Sequence, residues 1–281
     1  MIHILPMQIR DIPFAVRFSK QEGWDTPRSD FERILRLNPR GSFLAFQNRS
    51  RIGMITTIAF GKDLAWIGNV VVGKRFRGKH IGRSLVDHAL VNLRSAGIKR
   101  IGLYCFSNNV GFYEKLGFIK NVEFKRLRRD AKTTLPIIRP NRPPITLAQI
   151  MKIDRRSFGA DRSKLLRALV RSGQGTFLGF TYEKSAAYLI TRKYRDMYEF
   201  GPGVAVDVPE AEMRILLRLA VSRASKKPIE LSCLAKNCNV LGLLRNQGFQ
   251  EINRGYRMFL NRRTGLGNDH ANYLLGFKDK G

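Results

Sequence analysis

Residues 70–82 read V-V-V-G-K-R-F-R-G-K-H-I-G and join an apolar, β-branched run to a helical one through a basic, glycine-bearing turn. A helix start leaves its first N–H groups without partners in the chain. Together with the macrodipole they form a site for an anion such as a pyrophosphate. Arg77, Lys79 and Arg83 add positive charge there. Basic turns before helices are also common as plain solvated surface, so phosphate binding is one of two readings of this stretch alone. It is neither a Walker loop nor a Rossmann fingerprint, because G-x-x-x-x-G-K-[ST] and G-x-G-x-x-G are both missing.

A second element favours the phosphate reading. Residues 108–118 read N-N-V-G-F-Y-E-K-L-G-F, with a phenol at Tyr113. Together, 70–82 and 108–118 resemble motifs A and B of the GNAT superfamily of acetyl-CoA-dependent N-acetyltransferases, over roughly residues 7–128. Motif A there reads [QR]-x-x-G-x-[GA]. Here it is Arg77-Gly78-Lys79-His80-Ile81-Gly82, with His80 in the place of the first glycine.

The resemblance implies that the backbone of Val70, Val71 and Val72 pairs with the pantetheine arm and polarises the acetyl carbonyl. It implies that Gly78, Lys79, His80, Ile81, Gly82 and Arg83, with Arg77, hold the diphosphate, that Asn108 contacts the cofactor, and that Tyr113 protonates the leaving thiolate. The family's base glutamate falls on Tyr104 or Trp66, neither a carboxylate. Glu22, Asp25 or a water held by Asn69 are the substitutes. Trp24, Asn69 and Tyr104 are candidate acceptor contacts. A Tyr113 that merely packs on the sheet is the structural alternative.

The elements that must position these groups follow from periodicity. A strand is expected near 7–10, helices over 11–21 and 29–37 (the latter capped by Ser29 with Glu32 closing a capping box), and strands over 43–46, 52–60 and 65–72. Apolar positions 81, 85, 86, 89, 90 and 93 recur at helical spacing. A strand over 100–106, a short helix over 109–116 closed by Gly117 and a strand over 122–127 complete the first half. Four prolines between 131 and 146 exclude regular structure there.

The order then repeats: helices near 146–157 and 162–172, strands near 175–182, 185–191 and 197–206, a helix over 209–225, a strand over 229–234, a short helix ending at Gly248 and a strand over 251–260. Residues 239–249, N-V-L-G-L-L-R-N-Q-G-F, echo 109–118. The second half resembles, more faintly, the C-terminal GNAT domain of YitH-type tandem acetyltransferases, through 154–163 and Arg257-Met258. Where motif A would stand it has V-D-V-P-E-A-E over 206–212, and Leu244 takes the place of Tyr113. Acids there repel a diphosphate, so this half is expected to shape an acceptor pocket rather than bind CoA. Asp161 and Arg162 suit a helix start, and Tyr198 and Glu199 are further acceptor candidates.

Composition bounds the rest. The 281 residues suit two domains, and 43% hydrophobic content supports a core in each. The net charge of +29 comes from 26 basic and 10 acidic residues over 1–140 and the remaining 25 and 12 over 141–281. So even a spread is unlike a nucleic-acid module, and no specific nucleic acid is expected as a partner. No apolar run reaches the length of a membrane span, and the first residues do not read as a signal peptide, so a cytoplasmic location is expected. Cys105, Cys233 and Cys238 lack metal-ligand spacing and read as buried structural thiols; no metal is expected.

The expected fold is α/β (a mixed α+β sheet) in two GNAT-like domains, the second degenerate: 1–130 catalytic, 131–145 a Pro/Arg-rich linker, 146–262 degenerate, 263–281 a tail. The expected activity is transfer of acetyl from acetyl-CoA, as co-substrate, directly to a primary amine on a small molecule or protein. The alternatives are a different acyl-CoA, or a non-catalytic CoA-binding or nucleic-acid-associated module. Neither the acceptor nor the oligomeric state is readable from the sequence.

Overall fold

The structure is a computed structural model that describes residues 1–24, 26–131, 141–171, 173, 175–194, 196–224, 226–261 and 265–276. The first half runs β1 (Ile2–Pro6), α1 (Ile12–Gln21), α2 (Arg28–Leu37), β2 (Phe43–Gln47), β3 (Ser50–Phe60), β4 (Leu64–Val72), α3 (Ile81–Ser95), β5 (Ile101–Phe106), α4 (Val110–Glu114) and β6 (Phe118–Arg129). The second runs α5 (Leu147–Phe158), α6 (Ser163–Arg171), β7 (Gly175–Tyr182), β8 (Ser185–Lys193), β9 (Tyr198–Val206), α7 (Glu210–Ala224), β10 (Ile229–Leu234), α8 (Cys238–Asn246) and β11 (Gln250–Leu260). The mixed α/β class and the duplicated element order are as the sequence indicates.

Local chemistry sets several of these boundaries. The helical apolar spacing of α3 becomes one buried face, Ile81, Leu85, Val86, Ala89, Leu90 and Leu93. A capping box starts α5: the Gln149 N–H donates to Thr146 Oγ1 (3.3 Å) and the Thr146 N–H donates to Gln149 Oε1 (2.8 Å). The expected capping box at Ser29 does not form. Extended Pro27 stands at the cap, Ser29 lies inside the first turn, and Glu32 pairs with Arg28 instead. The expected strand at 7–10 is also displaced: β1 ends at Pro6 and a single 3-10 turn covers Ile9–Asp11. Residues 132–140 of the proline-rich stretch lie outside the described residues. Its end is already tied down, with the Thr181 N–H donating to the Pro143 carbonyl (3.1 Å).

The eleven strands of the described residues form one sheet in the order β1-β2-β3-β4-β5-β11-β6-β10-β9-β8-β7. The last strand of each half crosses over. β11 pairs antiparallel with β5 (Arg257 opposite Tyr104), and β6 pairs with β10 (Leu127 opposite Leu231). The seam is also packed: Ile58, Phe60, Leu64 and Trp66 of the first half share a core cluster with Phe158, Leu165, Leu166 and Tyr188 of the second. Each such side chain contributes about 1.5–3 kcal/mol on burial, so the two halves are held by shared strands and by a shared core. Among the described residues no helix is long and apolar enough to cross a membrane.

Candidate active site

The site begins where two parallel strands part. β4 and β5 are in register at Ala65–Ile101, Trp66–Gly102 and Ile67–Leu103, and the pairing ends there. On its other edge β4 carries a bulge, with Asn69 and Val70 together facing Ile55 of β3. Asn69 sits in the left-handed region (φ 48°), buried, with its Nδ2 donating to Thr56 Oγ1 (2.9 Å). A bulge bends and twists the strand that carries it. Beyond Ile67 the β5-facing edge of 68–72 is therefore uncovered by any strand among the described residues, an extended stretch able to pair with an amide-bearing chain.

The basic turn follows. Gly78 (φ 78°) and His80 (φ 58°) both take the left-handed backbone, and α3 begins at Ile81. A non-glycine residue there costs about 1–2 kcal/mol, which gives a physical reason for the glycine the motif carries where this chain has His80. The first backbone bond of the helix runs from the Ser84 N–H to the His80 carbonyl (3.0 Å), leaving the N–H groups before it for an anion. A Cβ on Gly82 would meet the Phe112 ring (3.4 Å) and Val72 (3.6 Å) in ordinary van der Waals contact, which places the helix start close against β4 and α4. Arg77 is partly committed: its Nε donates to the Val72 carbonyl (3.0 Å), and its guanidinium pairs with Glu22.

One cavity of about 1270 Å³ gathers most of the sequence-derived residues. Val70, Val71, Val72, Arg77, Gly78, His80, Ile81, Gly82, Arg83 and Tyr113 line it, as do Trp24, Asn69 and Tyr104. Lys79 and Asn108 are exposed and stand outside that lining; Asn109 is in it. Glu22 lines the cavity, Trp66 is fully buried away from it, and Asp25 lies outside the described residues.

The far end of the cavity belongs largely to the second half. Phe124, Arg126 and Arg128 alternate along β6 into it, and Tyr194, Glu199, Glu230, Ser232 and Leu275 complete the wall. Of these only Glu199 was singled out from sequence; Tyr198 beside it is not in the lining. The period-2 pattern of β6 was the available signal. The β10 residues reach this cavity only because β10 pairs with β6.

Charges at that end are paired. Glu230 takes Arg126 and Arg128 (3.2 Å to Arg128), and it neighbours Glu199 in parallel register. Arg192 lies buried between Asp30 of α2 and Glu199 of β9 (3.2 Å), tying the two halves electrostatically. Burial opposes its charge, but Asp30 foremost, then Tyr194 and Glu199, hold its pKa above the ordinary value. Tyr194 Oη donates to Glu199 Oε2 (2.8 Å), and burial, then Glu199 and Asp30, push its phenol well up.

Tyr113 is partly exposed as a residue, yet burial of its phenol, with a smaller contribution from Cys105, raises the pKa. It therefore keeps its proton and presents an O–H donor throughout the ordinary pH range. Cys105 is pushed up to about 12, chiefly by burial, and Cys233 is raised for the same reason; neither is a thiolate. Cys238, expected to be buried, is exposed. It sits in the first turn of α8, on the side away from the core formed by Leu241, Leu243 and Leu244.

Comparison with known proteins matches residues 7–118 to the acetyltransferase (GNAT) family and residues 150–273 to an acetyltransferase (GNAT) domain. The chain is 23% identical over 260 residues to the holothin acyltransferase of Pseudoalteromonas sp. (strain SANK 73390), covering 90% of this chain and 86% of that one. A candidate acetyltransferase of Pyrococcus horikoshii has the same fold at a TM-score of 0.80 and 23% identity, over 99% of this chain and 95% of that one. A tandem GNAT protein from the clavulanic acid biosynthesis pathway superimposes at 0.70 and 12% identity, over 92% and 98%.

Proposed function

Because the chain belongs to the acetyltransferase (GNAT) family, with one such domain in each half, and is an acyltransferase, we propose that its first half transfers an acetyl group from acetyl-CoA directly to a primary amine. The observation that carries this is the single cavity joining the open edge of β4, the start of α3 and Tyr113 to a second, charged and aromatic end. Acetyl-CoA supplies an activated thioester there. The residues fit it: the uncovered 68–72 edge suits the amide-bearing arm, and the N–H groups at the α3 start with Arg83 suit the diphosphate.

The protein's own groups then have defined tasks. A backbone N–H of the Val70 to Val72 stretch donates to the acetyl oxygen as charge develops on it. Tyr113 donates its proton to the departing sulfur, and the proton lost by the amine returns the Tyr113 phenolate to the phenol. With Trp66 and Tyr104 where family members carry a carboxylate, the amine proton leaves through water held against Asn69. Cys105, near pKa 12 and buried, is a poor nucleophile, which supports direct transfer without an acyl-enzyme.

The test is initial-rate kinetics of thiol release over a panel of amines, with both substrates varied. Direct transfer gives intersecting double-reciprocal lines. Parallel lines would replace it with a covalent intermediate, and no release with any amine or acyl-CoA would leave a CoA-binding module.

A further inference from the structure

The second half contains the same fork of strands as the first. β9 and β10 are parallel and in register through Phe200–Leu231, the counterpart of Ile67–Leu103, and then separate. Gly201, Gly203 and Ala205 thus stand where Gly68, Val70 and Val72 stand in the first half. This second fork is filled from within the chain. The Gly203 N–H donates to the Leu274 carbonyl (2.9 Å), the Leu274 N–H donates back to Gly203 (3.3 Å), and the Ala205 N–H donates to Ala271 (2.9 Å). On the opposite strand the Leu275 N–H donates to the Ser232 carbonyl (2.9 Å).

The residues on both sides are suited to this insert. Ala271, Asn272, Tyr273, Leu274 and Leu275 are all buried. A Cβ on Gly201 would run into the Leu275 carbonyl, and one on Gly203 would lie 2.9 Å from the Tyr273 ring. Tyr273 Oη donates to the Tyr188 carbonyl (3.0 Å), and Asn237 Nδ2 donates to the Asp269 (3.1 Å) and Asn272 (3.3 Å) carbonyls. Upstream, Asp269 accepts two bonds of 2.7 Å from Arg257 of β11, which aims the chain back into the fork. Leu275 then packs with Phe124 and Leu234, and Leu275 and Gly276 reach the wall of the large cavity.

We propose that residues 271–276 permanently occupy the second half's cofactor fork as a strand-like insert, and that the insert fixes the acceptor wall of the working cavity through Leu275, a specificity-determining residue. The face it completes with Tyr104, Phe106 and Phe124 is apolar and aromatic and lies beside the paired charges of Arg126 and Glu230, so the acceptor is a primary amine on an apolar, ring-sized body. The acceptor part rests on the acyl-transfer reading; occupancy of the fork does not.

Hydrogen exchange on the full chain tests occupancy without any activity. The Leu274 and Leu275 amides are expected to exchange at least about a hundredfold more slowly than open chain, and Gly203→Val, whose side chain displaces Tyr273, should remove that protection. Exchange at open-chain rates in the unsubstituted protein overturns the proposal. The acceptor role is read from 2-phenylethylamine and spermidine as probes. The aromatic amine is expected to be preferred, and Leu275→Ala to raise its KM about tenfold with the acetyl-CoA KM unchanged. An unchanged amine KM, or a preference for spermidine, overturns the specificity assignment. Acetylation of neither probe nor any other amine is failure of the acyl-transfer reading, and the acceptor role falls with it while exchange still decides the fork.

Discussion

In the first half β4 and β5 run together to Ile67 and Leu103 and then leave an open edge beside a basic turn; in the second, β9 and β10 run together to Phe200 and Leu231 and close on residues 271–275. The helix that follows each fork differs in the same sense. Arg77, Lys79, His80 and Arg83 surround the start of α3, whereas Asp207, Glu210 and Glu212 surround the start of α7. The phenol of Tyr113 has Leu244, fully buried in a core, as its counterpart. A duplicated fold has thus kept its geometry in both copies and its basic turn and tyrosine in one.

Removing the Tyr113 hydroxyl should have the largest effect. Tyr113→Phe is expected to lower kcat by about 10²–10⁴-fold with acetyl-CoA affinity preserved, and the converse Leu244→Tyr to create no activity in the second half. Burial holds the Tyr113 pKa above its ordinary value, and the proposed transfer uses the protonated phenol. The rate should therefore climb as the amine loses its proton and show no descending limb on approach to pH 10. An unchanged kcat in Tyr113→Phe would remove this residue from the reaction.

Next in size is the electrostatic tie across the halves. Arg192→Ala leaves Glu199 buried without its cation and Asp30 with Arg33 alone (2.8 Å), and a loss of about 3 kcal/mol is expected in urea unfolding. A loss under about 1 kcal/mol would mean that the halves are joined by the sheet and core alone. The smallest effect is at the cradle itself. His80→Gly relieves a left-handed backbone and should stabilise by about 1 kcal/mol or less, glycine's greater freedom in the unfolded chain offsetting part of the gain. Acetyl-CoA affinity should hold or improve. If it falls, the imidazole contributes to binding.

The element order and the cofactor end of the cavity were legible in the sequence because both are local: α3 announces itself by apolar spacing, and the turn before it by glycine and charge. The exchange of β6 and β11 was not, since alternation along a strand says which face is buried and nothing about which neighbour it takes. The charged and aromatic end of the cavity was hidden for the same reason, Glu230 and Ser232 being ordinary strand positions until β10 lies beside β6. Edge strand β1 was misplaced because Ile2 and Leu5 are exposed and no alternation marks it. The helix start at Arg28 was missed because Pro27, not Ser29, takes the cap.

The central claim is that one fork is open and the other closed. Calorimetric titration of the full chain with acetyl-CoA tests it most directly, with Arg77→Glu and Arg83→Glu titrated beside it. The expected result is one site per chain, weakened by about tenfold or more when the charge at the α3 start is reversed. Two sites per chain, or one site indifferent to both substitutions, would contradict it.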